Sequence, residues 1–348
     1  MDQISALIGM SGGVDSSVAA WLIQQQGIHC IGGTMLLHDS AAGTEDAASV
    51  ADKLGIPFHV LDHCSQFRTQ VMDDFARCYE EGLTPNPCIR CNKTLKFGAF
   101  LEQALSMGCN YVVTGHYARI CYDETTGRYL MKKAADLPKD QTYFLYSLNQ
   151  HQLSHTLFPL GNLTKEQVRV IAQEQGFLNA RKKDSQDICF ISDGDYTAFL
   201  KRYTGKEYGC GNFLDQSGKV VGQHSGAVSY TIGQRKGLGL AMGEPVYVCS
   251  KDMQANTVTV GTNDQLFRTT LIANDWNFIA FDTLSAPLRC KAKARSRMVE
   301  QPCTVYPEDN GACRVVFDEP QRALTPGQAV VLYDGDLVLG GGTIQEVL

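Results

Sequence analysis

The sequence predicts an α/β protein: a doubly wound parallel sheet at the N-terminus, a small central β-rich domain and a C-terminal antiparallel β-barrel. Three observations predict it. Strand-like and helix-like runs alternate from Ile4 to Thr114. A serine–glycine turn, Gly9 to Ser17, joins the first strand to the first helix. Beyond about residue 200 the helical spacing gives way to short β-rich runs.

Ile4–Met10 reads as a strand, Asp15–Gln26 as a helix ended by Gly27, and Cys30–Leu36 as the next strand. Thr44 is placed to cap a helix whose apolar positions Ala47, Val50, Ala51 and Leu54 lie at helical spacing before Gly55. A strand at Ile56–Leu61, helices at Phe67–Glu81 and Lys93–Met107, and a strand at Tyr111–Thr114 complete the series. Parallel strands of this kind bind ligands beyond their carboxyl ends. The β-rich part reads as strands at Ala227–Ile232, Val246–Cys249, Thr257–Val260, Leu271–Phe281, Leu288–Val299, Cys313–Phe317, Ala329–Tyr333 and Leu337–Ile344. The boundaries expected are 1–202, 203–267 and 268–348.

At 348 residues the chain has room for several cores. No apolar run approaches the ~20 residues of a membrane span, and the first residues lack a basic leader, which places the protein in the cytoplasm with no membrane partner. Thirteen cysteines are then mostly reduced, as core residues, ligands or nucleophiles. A net charge of −6 excludes a uniformly basic nucleic-acid binder but leaves room for a local basic patch.

Residues Gly9-Met10-Ser11-Gly12-Gly13-Val14-Asp15-Ser16 are the most informative segment. A strand, a glycine turn and a helix N-terminus aim backbone N–H groups and a positive helix end at an anion, and the serines add donors. No Lys-Ser or Lys-Thr follows the glycines, so this is not a Walker A loop. It is similar to the loop with which ATP pyrophosphatases hold the pyrophosphate of ATP.

The second segment is Thr84-Pro85-Asn86-Pro87-Cys88-Ile89-Arg90-Cys91-Asn92-Lys93. The prolines fix a turn and put Cys91 at the start of the following helix, where the helix end, Arg90 and Lys93 would favour a thiolate. Half of a zinc site and plain core packing are the competing readings of this C-x-x-C, which has no second ligand pair. Cys189, among Ile188, Phe190 and Ile191, reads by its neighbours as a buried strand cysteine, and His116 as a histidine just beyond a sheet strand. Arg289, Lys291, Lys293, Arg295 and Arg297 occupy alternate positions. On one strand they would line about 26 Å of one face, at about 3.3 Å per residue, and suit a phosphate backbone. Arg181, Lys182, Lys183, Arg235 and Lys236 are weaker candidates for the same role.

SGGVDSS, GGTM, TPNPCIRCNKTLKF, TGHYAR, KDQTYFL, KDSQDICFI, SYTIGQRKGLGL and TPGQAVV occur in that order. Together they resemble the bacterial-type tRNA-specific 2-thiouridylases, the MnmA family, nearly end to end. The resemblance implies a Rossmann-like, adenine nucleotide α-hydrolase-like ATP domain. It also implies a tRNA sulfurtransferase that adenylates the C2 oxygen of the wobble uridine and delivers sulfur from a cysteine persulfide. The partners implied are tRNA and a persulfide donor, either a cysteine desulfurase or a sulfur-relay protein; the cofactor is ATP with magnesium. By motif, Gly9, Met10, Ser11, Gly12, Gly13, Val14, Asp15, Ser16 and Met35 contact ATP, with Gly115 near the adenine or ribose. Cys91 takes the nucleophile position and Cys189 the persulfide position, and the two are implied to form a disulfide once sulfur has moved. Asn86, Pro87 and Cys88 receive the extruded base, and His116, Lys139, Asp140, Gln141, Arg295, Ser296 and Gln328 contact tRNA. Cys88 stands where some relatives carry aspartate, which opens a 4Fe–4S cluster on Cys88, Cys91 and Cys189 as an alternative route. The other readings are a different adenylating enzyme of the superfamily and a non-catalytic tRNA- or iron–sulfur-binding protein.

Overall fold

The structure, a computed structural model, describes residues 3–38, 43–182, 188–191 and 193–348. Lys183 and the Asp184–Asp187 stretch of the KDSQDICFI motif lie outside them.

The N-terminal sheet is wholly parallel: β1 (Ser5–Gly9), β2 (His29–Leu36), β3 (Phe58–Asp62), β4 (Tyr111–Val113) and β7 (Thr156–Leu157), in the order β3-β2-β1-β4-β7. The apolar run of β1 follows from burial on both faces. Ala6 and Ile8 point into a core with Val18, Ala19 and Ile23 of α1 (Val14–Gln25), while Leu7 points to the opposite core with Phe97, Phe100 and Leu101. The helix α2 (Thr44–Leu54) buries Ala47, Val50 and Ala51 and ends at left-handed Gly55. Its cap differs from expectation: Gly43 is the N-cap residue and Thr44 begins the helix, with no side-chain cap.

Two longer helical runs, 64–80 and 87–106, each contain a π-helical stretch, Arg68–Met72 and Asn92–Ala99. The first run's Phe67 and Val71 meet Cys91 and Leu95 of the second in one small core. Among the described residues no helix is long and apolar enough to cross a membrane.

The central sheet has four strands, β8 (Gly211–Leu214), β9 (Val220–His224), β10 (Tyr247–Asp252) and β11 (Thr257–Gly261), in the order β10-β11-β8-β9. Ala227–Ile232 is not a strand as expected. Ala227–Ser229 forms a 3₁₀ turn, and its apolar residues are buried by tertiary packing instead.

The C-terminal strands are β12 (Phe267–Phe278), β13 (Leu288–Lys293), β14 (Gln301–Pro307), β15 (Cys313–Arg322), β16 (Ala329–Asp334) and β17 (Leu337–Val347). They run antiparallel in the order β12-β15-β14-β13-β16-β17, and pairing of β12 with β17 closes the barrel. A hairpin of the N-terminal region, β5 (Arg119–Asp123) and β6 (Arg128–Lys132), adds to β17 through Met131 and Lys132. Barrel residues Ala329, Val331, Tyr333 and Val338 also share one apolar core with Leu7, Phe97 and Val112. The barrel is therefore packed into the nucleotide domain rather than tethered to it.

Candidate active site

The turn after β1 is built for backbone approach. Gly12 has φ +70°, and a Cβ there would lie 2.2 Å from the Gly43 carbonyl oxygen, so only glycine fits. Ser16 and Ser17 each donate a hydroxyl to the Gly13 carbonyl at 3.0 Å, and the Ser11 N–H donates to Ser16 Oγ at 3.2 Å. Thr34 on β2 donates to the Met10 carbonyl at 2.5 Å, which joins the turn to the strand that carries Met35. Gly115, just beyond β4, lies against the same turn: a Cβ there would come within 2.7 Å of Asp15 C and Ser16 N.

Three residues that the sequence reading did not single out hold this turn. Lys165 Nζ donates to both Asp15 carboxylate oxygens at 2.7 and 2.8 Å, and Tyr117 donates its hydroxyl to Asp15 Oδ1 at 2.9 Å. Asn179 donates to the Gly12 carbonyl at 3.2 Å and to Ser17 Oγ at 2.9 Å. Tyr117 lies within the TGHYAR motif, and the Thr164–Gln167 capping box marks where the Lys165 helix starts but not what Lys165 meets. Both oxygens of Asp15 are thus engaged, by the Lys165 ammonium and the Tyr117 hydroxyl.

The second cluster forms around the 87–106 run. Asn86 is the N-cap residue, Pro87 the first helical residue and Cys88 the second, so Cys88 rather than Cys91 occupies the helix start. Cys91 is buried one turn later, and burial pushes its thiol up to about 11, the reverse of the lowering expected from a helix N-terminus. The Lys96 ammonium acts in the opposite direction on Cys91, while Cys189 and Cys88 lie close enough to raise it further.

Cys189 sits in a turn closed by the Ile191 N–H on the Ile188 carbonyl at 2.9 Å, not in a buried strand. Its apolar neighbours are what dock it. Phe190 packs edge-on to Phe67 and Phe75 at centroid distances of 5.7 and 5.3 Å, which leaves Cys189 exposed at the rim. Surrounding protein raises the Cys189 thiol by desolvation, with the Cys88 charge adding to it and Lys96 opposing it. All three thiols are free. Among the described residues no three His, Cys, Asp or Glu side chains come together as a set that could hold a single metal ion.

The two clusters meet at consecutive residues. Gly115 lies against the turn after β1, and His116 turns its ring toward Phe97 (5.6 Å), on the helical run that also carries Cys91, and toward Phe158 (5.9 Å). Its Nδ1 shares a hydrogen bond with Thr114 Oγ1 at 2.8 Å, and desolvation followed by the Lys96 charge holds its pKa well below the ordinary range. Both effects favour the neutral form of the His116 imidazole.

The other expected contacts divide. Asp140 accepts from the Ala134 N–H and the Thr142 hydroxyl, and Gln141 exchanges two 2.9 Å hydrogen bonds with the Tyr117 backbone. Both side chains position the segment, with Lys139 beside them half-buried. The five-cation row is not continuous. Arg289, Lys291 and Lys293 do alternate outward on β13, but the strand ends at Lys293. Arg289 pairs with Asp318, and Arg295 turns inward, donating to the Ile232 carbonyl at 3.1 Å and to Thr325 Oγ1 at 2.5 Å. Ser296 lies half-buried in the following turn. Lys182, next to the first cluster, pairs with Asp46 at 2.7 Å.

Residues 4–193 match the family described as tRNA methyl transferase HUP domain, 197–262 the tRNA methyl transferase PRC-barrel domain and 268–344 the aminomethyltransferase beta-barrel domain. The tRNA-specific 2-thiouridylase MnmA of Acetivibrio thermocellus is 49% identical over 99% of this chain and 100% of its own length. The chain belongs to the MnmA family. MnmA of Symbiobacterium thermophilum is 51% identical over 98% of this chain and 92% of its own length, and that of Clostridioides difficile 49% over 98% of each. Beyond the MnmA family, the solved 4-thiouridine synthetase–RNA complex with bound ATP is a remote likeness at 15% identity, with a TM-score of 0.36 over 58% of this chain and 50% of that one.

Proposed function

We propose that this protein makes 2-thiouridine at the wobble position of tRNA, activating the base with ATP at the turn after β1 and exchanging oxygen for sulfur at the thiol cluster. The observation that carries this reading is the adjacency of Gly115 and His116: one packs against the turn after β1, and the next packs on Phe97 of the helical run that also carries Cys91. An adenylated base held between them would present its ring carbon to the sulfur atoms without leaving the site.

The helix N-terminus and backbone N–H groups at Gly12–Ser16 would hold the pyrophosphate while the uracil C2 oxygen attacks the α-phosphorus. That attack breaks the bond to pyrophosphate and turns a poor leaving group into AMP. The terminal sulfur of a Cys189 persulfide, taken from the donor protein, then adds to C2, and the C2–O bond breaks with its electron pair going to AMP. The Cys91 thiolate attacks Cys189 Sγ, the sulfur–sulfur bond breaks toward the base, and 2-thiouridine is released. Cys91 and Cys189 are left as a disulfide, which a cellular thiol reductant reopens. His116, whose neutral form this environment favours, suits a hydrogen-bonding contact with the base or backbone. The exposed Cys88, at the second helical position after Asn86 and Pro87, would border an extruded base.

Purification without oxygen, followed by iron and sulfide assay and in vitro thiolation from a persulfide donor, tests the reading. Iron-free protein that makes 2-thiouridine, AMP and pyrophosphate in equal amounts is the expected outcome. Activity that tracks iron content would replace the persulfide route with the cluster route.

A further inference from the structure

The π-helical segment Asn92–Ala99 is the least common backbone feature next to the thiols, and it has a geometric effect. In an α-helix of about 3.6 residues per turn, Cys91 and Lys96 would lie about 140° apart around the axis. In a π-helix, whose hydrogen bonds close over five residues at about 4.4 residues per turn, positions five apart lie only about 50° apart around the axis. The segment ends with Phe100 N–H donating to the Leu95 carbonyl, five residues back. The widened turn thus brings Lys96 around to the face of Cys91.

The segment is held from outside. Gln152 is buried, and its Nε2 donates to the Lys93 carbonyl at 3.1 Å and the Phe97 carbonyl at 2.7 Å. Its Oε1 is fixed in turn by the Asn149 N–H at 3.0 Å. Asn92 Nδ2 donates to the Phe144 carbonyl at 2.9 Å. Side chains that take up carbonyls of a widened turn stabilise it against relaxing to an α-helix, which would swing Lys96 away.

Lys96 itself is half-buried. The titratable groups that feel its charge come from three elements: Cys91 on the same run, Cys189 on the docked turn and His116 beyond β4. Cys88 acts on both other thiols from the helix start.

We propose that Lys96 is the cation of the sulfur-transfer step, placed by the π-helical turn to stabilise the anionic sulfur of Cys91 and of the Cys189 persulfide, with Gln152 as the residue that positions it. This rests on the sulfur-transfer reading above. It adds no chemical step: each proton lost by a thiol passes to solvent, and Lys96 stays protonated throughout.

The test is iodoacetamide labelling of Cys91 and Cys189 at pH 8, read peptide by peptide by mass spectrometry, in wild type, Lys96→Met, Lys96→Arg and Gln152→Leu. Labelling needs neither ATP nor tRNA. Lys96→Met should slow it about tenfold, the effect of one pKa unit from a neighbouring charge, and Lys96→Arg should restore most of the rate. Gln152→Leu should slow it by an intermediate factor. Misfolding would expose the thiols and speed labelling, so slowing cannot come from a failed fold. Labelling of both thiols in Lys96→Met within twofold of wild type, or any acceleration, overturns the proposal. Wild-type protein that makes no 2-thiouridine, while the labelling differences hold, would sink the thiolation reading, and with it the part of Lys96 in sulfur transfer, and leave only its stabilisation of the two thiolates.

Discussion

Gln328 in the C-terminal barrel donates its Nε2 to the Thr84 carbonyl at 2.7 Å, and the Thr84 N–H donates to the Pro326 carbonyl at 2.9 Å. Both polar groups of the Thr84 backbone are thus satisfied by the barrel, two residues before Asn86 caps the thiol helix. Arg295 closes the same junction from the other side, joining the central-domain loop at Ile232 to Thr325. Gln328 grips the chain that leads into the thiol helix, and Arg295 ties the central-domain loop to the barrel, whatever each offers to tRNA.

Gln328→Ala removes one side-chain hydrogen bond to a backbone carbonyl, a loss of about 1 kcal/mol. It should lower the thiolation rate several-fold while leaving ATP affinity at the distant turn unchanged. Isothermal titration with ATP and a thiolation time course decide it; a loss confined to ATP binding would contradict the grip.

Gly12→Ala places a methyl group in the Gly43 carbonyl and forces a non-glycine residue to φ +70°. The variant should keep its circular dichroism spectrum and lose tRNA-dependent pyrophosphate release by two orders of magnitude or more. Wild-type turnover in this variant would show that the turn does not hold ATP.

Lys165→Met strands the Asp15 carboxylate. Lys165 is 11% exposed and Asp15 31%, so the loss lies below that of a fully buried pair, at about 2 kcal/mol. Adding Asp15→Asn should recover part of it, since the remaining charge is gone. Urea unfolding of the two single variants and the double variant measures the coupling; strictly additive losses would mean that the pair is not coupled.

The basic residues of the barrel should differ in their effect on tRNA affinity. Lys291 and Arg297 are exposed, whereas Arg289 is neutralised by Asp318. Replacing Lys291 or Arg297 with alanine should each reduce the slope of log K against log salt by about one, and Arg289→Ala by less. Filter binding from 50 to 300 mM salt tests this, and a dominant effect of Arg289 would overturn it.

Burial pushes the thiols of Cys30, Cys78, Cys91 and Cys313 up to about 11 each, from an ordinary value of 9. The folded chain keeps protons that the unfolded chain releases, so the stability these thiols provide is full below pH 9. It is lost as pH rises through 11. Urea midpoints between pH 8 and 10.5 should fall, and Cys313→Ala should fall less steeply than wild type. Parallel slopes would assign the loss to other groups.

What was legible in the sequence was what local spacing encodes. The parallel sheet could be read because the middle of β1, Ala6 to Ile8, is apolar while α2 is apolar on one face. The barrel strands could be read because inward and outward residues alternate, as Cys290 and Ala292 do with Arg289 and Lys291. Ala227 and Val228 are buried as the residues of a strand would be, but burial does not specify backbone shape, and that segment is a 3₁₀ turn. Likewise the spacing of basic residues continued past Lys293, where the chain had already left the strand.

By itself the sequence determined the order of the elements, the glycine–serine turn that requires Gly12, and the family to which the chain belongs. Only the tertiary structure decided the environment of each reactive group. Cys91 is a buried thiol beside Lys96 because a π-helical turn, held by Gln152 from a distant segment, sets its neighbours. Asp15 is committed to Lys165, and Gln328 to Thr84, across separations of 150 and 244 residues. Charges and hydrogen bonds act through space, and no spacing along the chain encodes a partner so far away.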